Sequence, residues 1–281
     1  MTMYMQEAYH PIHLCQPDCS KSCGACCGLY NWHDHSRSTL TALLSLQTEL
    51  LAVHLPRNSI EAYRSERELR IESTKLCSDI YNCEFLGFID PERKRVGCLA
   101  HPKVNNGNDL RDLCLYGRDI CQNHFCPGYS CLTTIEQKAV IYSIDDWYLY
   151  GLIITDIDLV KEFFRQVENR IGDSIRERNL MHPAALKALR DFFLLKEHWP
   201  FKAAAPRLGK YFFTATEYTI ARIDYQKRWG IPGSQYDKIL VSLESDFSNR
   251  EELHASERMI EEKINAFIAA YIAQQKLHSY G

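Results

Sequence analysis

The sequence lacks a surplus of either charge: 33 lysines and arginines face 36 aspartates and glutamates, a formal net charge of −3. A nearly neutral chain exerts no long-range pull on polyanions, which excludes a supercharged nucleic-acid binder. It also lacks a membrane-spanning run. The longest lipid-compatible stretch, Trp147 to Ile154, falls far short of the roughly twenty residues needed to cross a bilayer. Met1 to Leu14 contains neither lysine nor arginine, and no apolar run of secretory length. No Asn-x-Ser/Thr acceptor site for glycosylation occurs. These absences predict a cytoplasmic protein with neither a membrane nor a nucleic acid among its partners. Missing too are a phosphate-cradling glycine-rich loop, a Gly-x-Ser-x-Gly elbow and a His-Glu-x-x-His pair, so standard nucleotide, hydrolase and zincin chemistry has no support.

Residues 132–281 contain no cysteine at all, whereas all twelve lie between Cys15 and Cys131. Within that first part nearly one residue in ten is a cysteine, the density of a metal site or a disulfide scaffold. In a reducing cytoplasm such a pattern points to metal or catalysis rather than to bridges. A disulfide framework is the alternative for an oxidising compartment.

The thiols fall into two runs. The first is Cys15-x3-Cys19-x3-Cys23-x2-Cys26-Cys27, and a two-residue gap lets Cys23 and Cys26 reach one ion. Adjacent side chains diverge, so Cys26 and Cys27 suggest two metals, a multinuclear cluster, or one ligand with a packed neighbour. The second run is Cys83, Cys98-x2-His101, Cys114, Cys121-x4-Cys126 and Cys131. Cys126-Pro127 matches the end of a ferredoxin-type run, although the preceding gap of four does not. The candidate metal ligands are therefore Cys19, Cys23, Cys26, Cys27, Cys83, Cys98, His101, Cys114, Cys121, Cys126 and Cys131, with Cys15 and Cys77 outside the set. One zinc site or one four-iron cluster takes four protein ligands, so this excess implies two sites, or one site with buried structural thiols. Arg111, flanked by Asp109 and Asp112, is either a group that tunes the centre or a surface ion pair. His33-Asp34-His35 reads as an exposed polar loop.

The expected fold is mainly α: a helical body with an irregular, metal-stapled, cysteine-rich N-terminal half. Region 1–131 is the cysteine-cluster metal-binding part, with two helices near 39–75 after a cap at Ser38. Region 132–281 is helical and packs against it. One short β-hairpin is expected from 85–89 and 95–99, with Pro91 in its turn. Apolar spacing predicts further helices over 136–151, 156–170, 184–198, 214–229, 235–246 and 250–276.

The segments Cys19-x3-Cys23-Gly24-Ala25-Cys26-Cys27-Gly28, Cys83-x2-Leu86 and Gly97-Cys98-Leu99-x-His101-Pro102 resemble the YkgJ-type cysteine-cluster family, described as zinc- or iron-chelating domains with a CxxCxxCC pattern. The resemblance covers about residues 15–131, and the first gap departs from it, being three residues instead of two. It implies metal chelation, with iron–sulfur binding in some members. A flagellin lysine N-methylase carries a similar cluster, so the resemblance also permits methyl transfer. The leading expectation is thus an iron–sulfur cluster, with zinc as the other choice, in a redox or methyl-transfer protein. The alternative is a zinc-stapled scaffold that offers its helical half to a protein partner.

Overall fold

The computed structural model describes residues 13–57, 59–204 and 223–277. Within them the chain is mainly helical, with one two-stranded antiparallel sheet. The first helix, α1 (Arg37–His54), is capped two residues earlier than expected: Ser36, not Ser38, takes the extended conformation and accepts a hydrogen bond from the Thr39 N–H. Leu40, Leu43, Leu44, Leu50 and Leu51 form its buried stripe, and a 3-10 turn at Leu55–Arg57 containing Pro56 ends it. The second helix, α2 (Ile60–Arg70), stops short of the expected Lys75 because Ile71 turns extended. Lys75 instead bridges to Trp32, tying this strand-like return to the segment that follows the first cysteine run.

The expected hairpin is present as β1 (Leu86–Phe88) and β2 (Val96–Cys98), with Leu86 opposite Cys98 and Phe88 opposite Val96. Helix α1 lies across the free edge of β1. There Gln47 Nε2 donates to the Leu86 carbonyl, and Thr48 Oγ1 accepts from the Phe88 N–H at 2.8 Å. Side chains thereby satisfy an edge that would otherwise invite pairing with another strand. Gly87 permits that closeness, since a Cβ there would stand 2.5 Å from Thr48 Oγ1.

Two short helices follow, α3 (Gly117–Asn123) and α4 (Gly128–Cys131). The helical body then comprises α5 (Thr134–Ser143), α6 (Trp147–Ile154), α7 (Ile157–Ile171), α8 (Glu177–Leu180), α9 (Pro183–Phe193), α10 (Leu195–His198), α11 (Tyr225–Trp229), α12 (Asp237–Ser242) and α13 (Arg250–Leu277). The single helix expected over 136–151 is two helices. Ile144 is extended and buried, and Asp146, held by Arg37 Nη1 at 2.7 Å, caps α6 through the Leu149 N–H. Likewise 184–198 divides into α9 and α10, and 235–246 shortens to α12 because Glu244 adopts a left-handed backbone, φ 59°. The helix expected at 214–229 is described only from residue 223, where Asp224 caps α11.

Helix α7 runs as expected, from an Asp156 cap to Gly172 at φ 70°. Helix α13 buries Leu253, Ile260, Ile264, Phe267 and Tyr271 against α9, α8 and α7. Phe163 sits at the centre of this core, 4.5 Å between ring centroids from Phe192 and 5.1 Å from Phe267.

Three tyrosine hydroxyls fasten the cysteine-rich segment to this body. Tyr150 donates to the Leu14 carbonyl at 2.8 Å, Tyr148 to His35 at 3.0 Å, and Tyr30 to the Tyr148 carbonyl at 2.9 Å. Leu14 belongs to the same apolar cluster as Phe163. His35 is buried, not exposed as its polar neighbours suggest, and its Nδ1 lies 3.0 Å from the Trp32 carbonyl.

Candidate metal centre

All twelve cysteines are free thiols. The first run folds around a 3-10 turn, Ala25–Cys27, that Gly28 closes at φ 80°. A Cβ on Gly28 would lie 2.2 Å from the Tyr81 carbonyl oxygen, so the loop before Cys83 can sit directly on the turn. The Cys83 N–H then donates to the Cys27 carbonyl at 2.9 Å. Asn31 holds the rest of that loop: its Nδ2 donates to the Cys77 and Ile80 carbonyls and to Asn82 Oδ1, and its Oδ1 accepts from the Cys77 N–H.

One group of thiols gathers on this frame from the hairpin and the segment after it. Cys83 precedes β1 and Cys98 ends β2, so strand pairing brings both to the same end of the hairpin. Cys83 and Cys114 are buried in the apolar cluster built by α1, α2 and the hairpin, with Cys27 and Cys98 packed against it. Cys121, on α3, stands 3.6 Å from Cys114 Sγ. The two sulfurs are within hydrogen-bonding distance of each other. Cys27, Cys83, Cys98, Cys114 and Cys121 also act electrostatically on one another.

A second group forms against the helical body. Cys15 is tied to Cys23 by a backbone hydrogen bond of 2.9 Å, and its Sγ lies 3.8 Å from the Tyr129 hydroxyl. Cys23 packs against the main helical core. Cys26 hydrogen-bonds Cys126, which follows α3 and sits at the start of α4. The expected candidates Cys23, Cys26 and Cys126 thus come together, and Cys15, which the spacing leaves out, joins them. The only hint of Cys15 in the sequence is its place at the head of the run.

Protonation reflects this crowding. Burial pushes Cys98 up to about 11 and Cys121 up to about 12, and it raises Cys15, Cys23, Cys27 and Cys83 as well. Its hydrogen bond to Cys126 raises Cys26, and the same bond, helped by backbone N–H groups of Gly128 and Tyr129, brings Cys126 down to about 7. The raised thiols keep their protons until a cation takes the protons' place, which makes binding there proton-releasing. Arg111 is buried and clamps Asp109 through Nε at 2.8 Å and Nη2 at 2.5 Å, while its charge favours the thiolates of Cys98 and Cys121. It is therefore no surface pair, whereas Asp112 pairs with Arg118 in solvent.

Three expected ligands lie elsewhere. Cys19 is exposed on the turn after Pro17, near Lys94, and Cys131 is exposed beside Ser130. His101 turns Nδ1 to the Lys103 N–H at 3.1 Å and is acted on by Arg111 and Asp109. Among the described residues no three His, Cys, Asp or Glu side chains are preassembled at metal-ligating geometry; the thiols lie in two looser groups. Also among the described residues, no helix is long and apolar enough to cross a membrane.

Compared with known proteins, the chain matches no family model, no curated protein and no solved structure.

Proposed function

We propose that this chain is a metal-binding protein whose N-terminal half holds iron–sulfur through cysteine thiolates. The observation that supports it is the gathering of Cys27, Cys83, Cys98, Cys114 and Cys121 in and against one apolar cluster, with Cys15, Cys23, Cys26 and Cys126 acting on one another beside the same Ala25–Cys27 turn. Four thiolates suit either a four-iron cluster or zinc, so each group has the donors for one centre. Iron–sulfur is preferred because soft sulfur donors in excess, with neighbouring thiols side by side, suit a multinuclear centre. Such a cluster supplies one-electron chemistry; the chain's own residues set its surroundings. Arg111 adds positive charge beside the second group, and the Gly128 and Tyr129 N–H groups point at Cys126, two devices that tune a cluster's potential.

A second reading, a zinc-stapled scaffold, is favoured by one feature. Leu115, Tyr116, Ile120 and Phe125 are all exposed along the stretch that carries Cys121, an apolar strip of the kind that marks protein contact sites. Purification without air followed by iron, acid-labile sulfide and zinc analysis separates the two. Equal iron and sulfide with visible charge-transfer absorbance is the expected result. Stoichiometric zinc in a colourless protein would favour the scaffold, and absence of both metals with the thiols paired as disulfides would overturn either reading.

A further inference from the structure

We infer that the cysteine-rich half carries two separate centres, Cys15/Cys23/Cys26/Cys126 and Cys27/Cys83/Cys98/Cys121, which share no ligand and meet at the Cys26–Cys27 peptide. This rests on the metal-binding reading above and adds the number of sites and the ligands of each.

The geometry of the turn separates the adjacent thiols. A 3-10 turn advances one third of a revolution per residue, so Cys26 and Cys27 leave the Ala25–Cys27 turn about 120° apart. Each direction leads into a different environment. On the Cys27 side, its carbonyl is bonded to the Cys83 N–H, and its side chain packs on the cluster that buries Cys83 and borders Cys98. On the Cys26 side lie Cys126, bonded to it, and Cys23, which packs on the helical body with Leu14 and Tyr129. The apolar cluster of Leu29, Tyr30, Leu86, Trp147 and Tyr148 touches both Cys23 and Cys27 where the two environments meet.

The donor count closes for the first centre, which has four thiols. The second group has five, and Cys114 is the one already committed, since its S–H donates to the Arg111 carbonyl at 2.9 Å. It is assigned as the spare thiol, a hydrogen-bond partner of Cys121 rather than a ligand.

The test is metal content of the full chain purified anaerobically. Wild-type protein is expected to hold roughly eight irons or two zincs, twice what one four-thiolate centre takes. Cys26→Ser, Cys126→Ser, Cys27→Ser and Cys98→Ser should each lose half of it. The double variant Cys26→Ser/Cys126→Ser should still keep half, whereas Cys26→Ser/Cys27→Ser should be empty. Cys114→Ser should keep the wild-type content; a half loss there would overturn its assignment as the spare thiol. Four irons or one zinc in the wild type would refute two centres even if no variant folds, as would single variants that empty the chain. A wild type without metal overturns the proposed function itself, so the two failures are distinguishable.

Discussion

Gly28 shows how much of the centre rests on one missing Cβ. With φ at 80° and two backbone atoms of the 81–82 loop closer than a methyl can tolerate, no side-chain shift relieves the conflict. Gly28→Ala should cost about 3 kcal/mol or more in unfolding free energy, combining a left-handed backbone with a backbone clash. It should also break the Cys27–Cys83 link and so reduce bound metal. Denaturant unfolding and metal analysis check both, and a variant with wild-type stability would show that the loop does not sit on the turn. His35 makes a different kind of statement. Burial, with Lys196 and Lys202 nearby, holds its pKa below the ordinary value of about 6.5, and Glu244 only partly offsets this. The folded chain therefore keeps His35 neutral where the unfolded chain protonates it. That contribution is complete above about pH 6.5 and is lost as pH falls, with a slope bounded near 1.4 kcal/mol per pH unit by one proton. His35→Gln should flatten the stability profile from about pH 6.5 down to 5 in unfolding titrations; an unchanged slope would mean that other groups set it.

Elements were legible wherever a local signal agreed with the packing. Helix α13 shows its buried stripe in the spacing of Leu253, Ile260, Ile264, Phe267 and Tyr271, and the hairpin shows in two short apolar runs about a Pro91 turn. Helix α7 shows both of its ends, Asp156 and Gly172. Where the structure departs from the local signal, long-range competition is the cause. Asp146 caps α6 because Arg37 orients its carboxylate while also pairing with Glu197, and no window along 136–151 contains that arginine. His35 is buried despite its polar neighbours for the same reason, since the hydroxyl of Tyr148, far along the chain, covers its carbonyl. The candidate site divides similarly. The split of Cys26 from Cys27 follows from two consecutive side chains having to diverge. The pairing of Cys26 with Cys126 and the recruitment of Cys15 depend on where α4 and Tyr129 come to lie. Spacing therefore names most of the thiols and cannot sort them.

Across the whole molecule, apolar burial is uneven. The helical body has a continuous core that runs from Val140 through Phe163 to Tyr271, whereas the cysteine-rich half has two smaller clusters, one of which borrows Trp147 and Tyr148 from α6. Its remaining order comes from the hydroxyls of Tyr30, Tyr148 and Tyr150, the Asn31 network and, in the proposed function, the bound metal. Thiolate binding free energies of about 10–16 kcal/mol, as in small zinc domains, exceed the whole stability of a typical domain, so removing metal should be felt first where the ligands are. Chelation of the holoprotein should raise amide hydrogen exchange in residues 14–36 and 77–131, leaving α7, α9 and α13 protected, because local unfolding follows local contact. Mass spectrometry of exchange before and after chelation reads this directly. Uniform loss of protection through α13 would mean that the two halves fold as one cooperative unit, and unchanged exchange near Cys27 and Cys83 would mean that the thiol clusters hold their shape without metal.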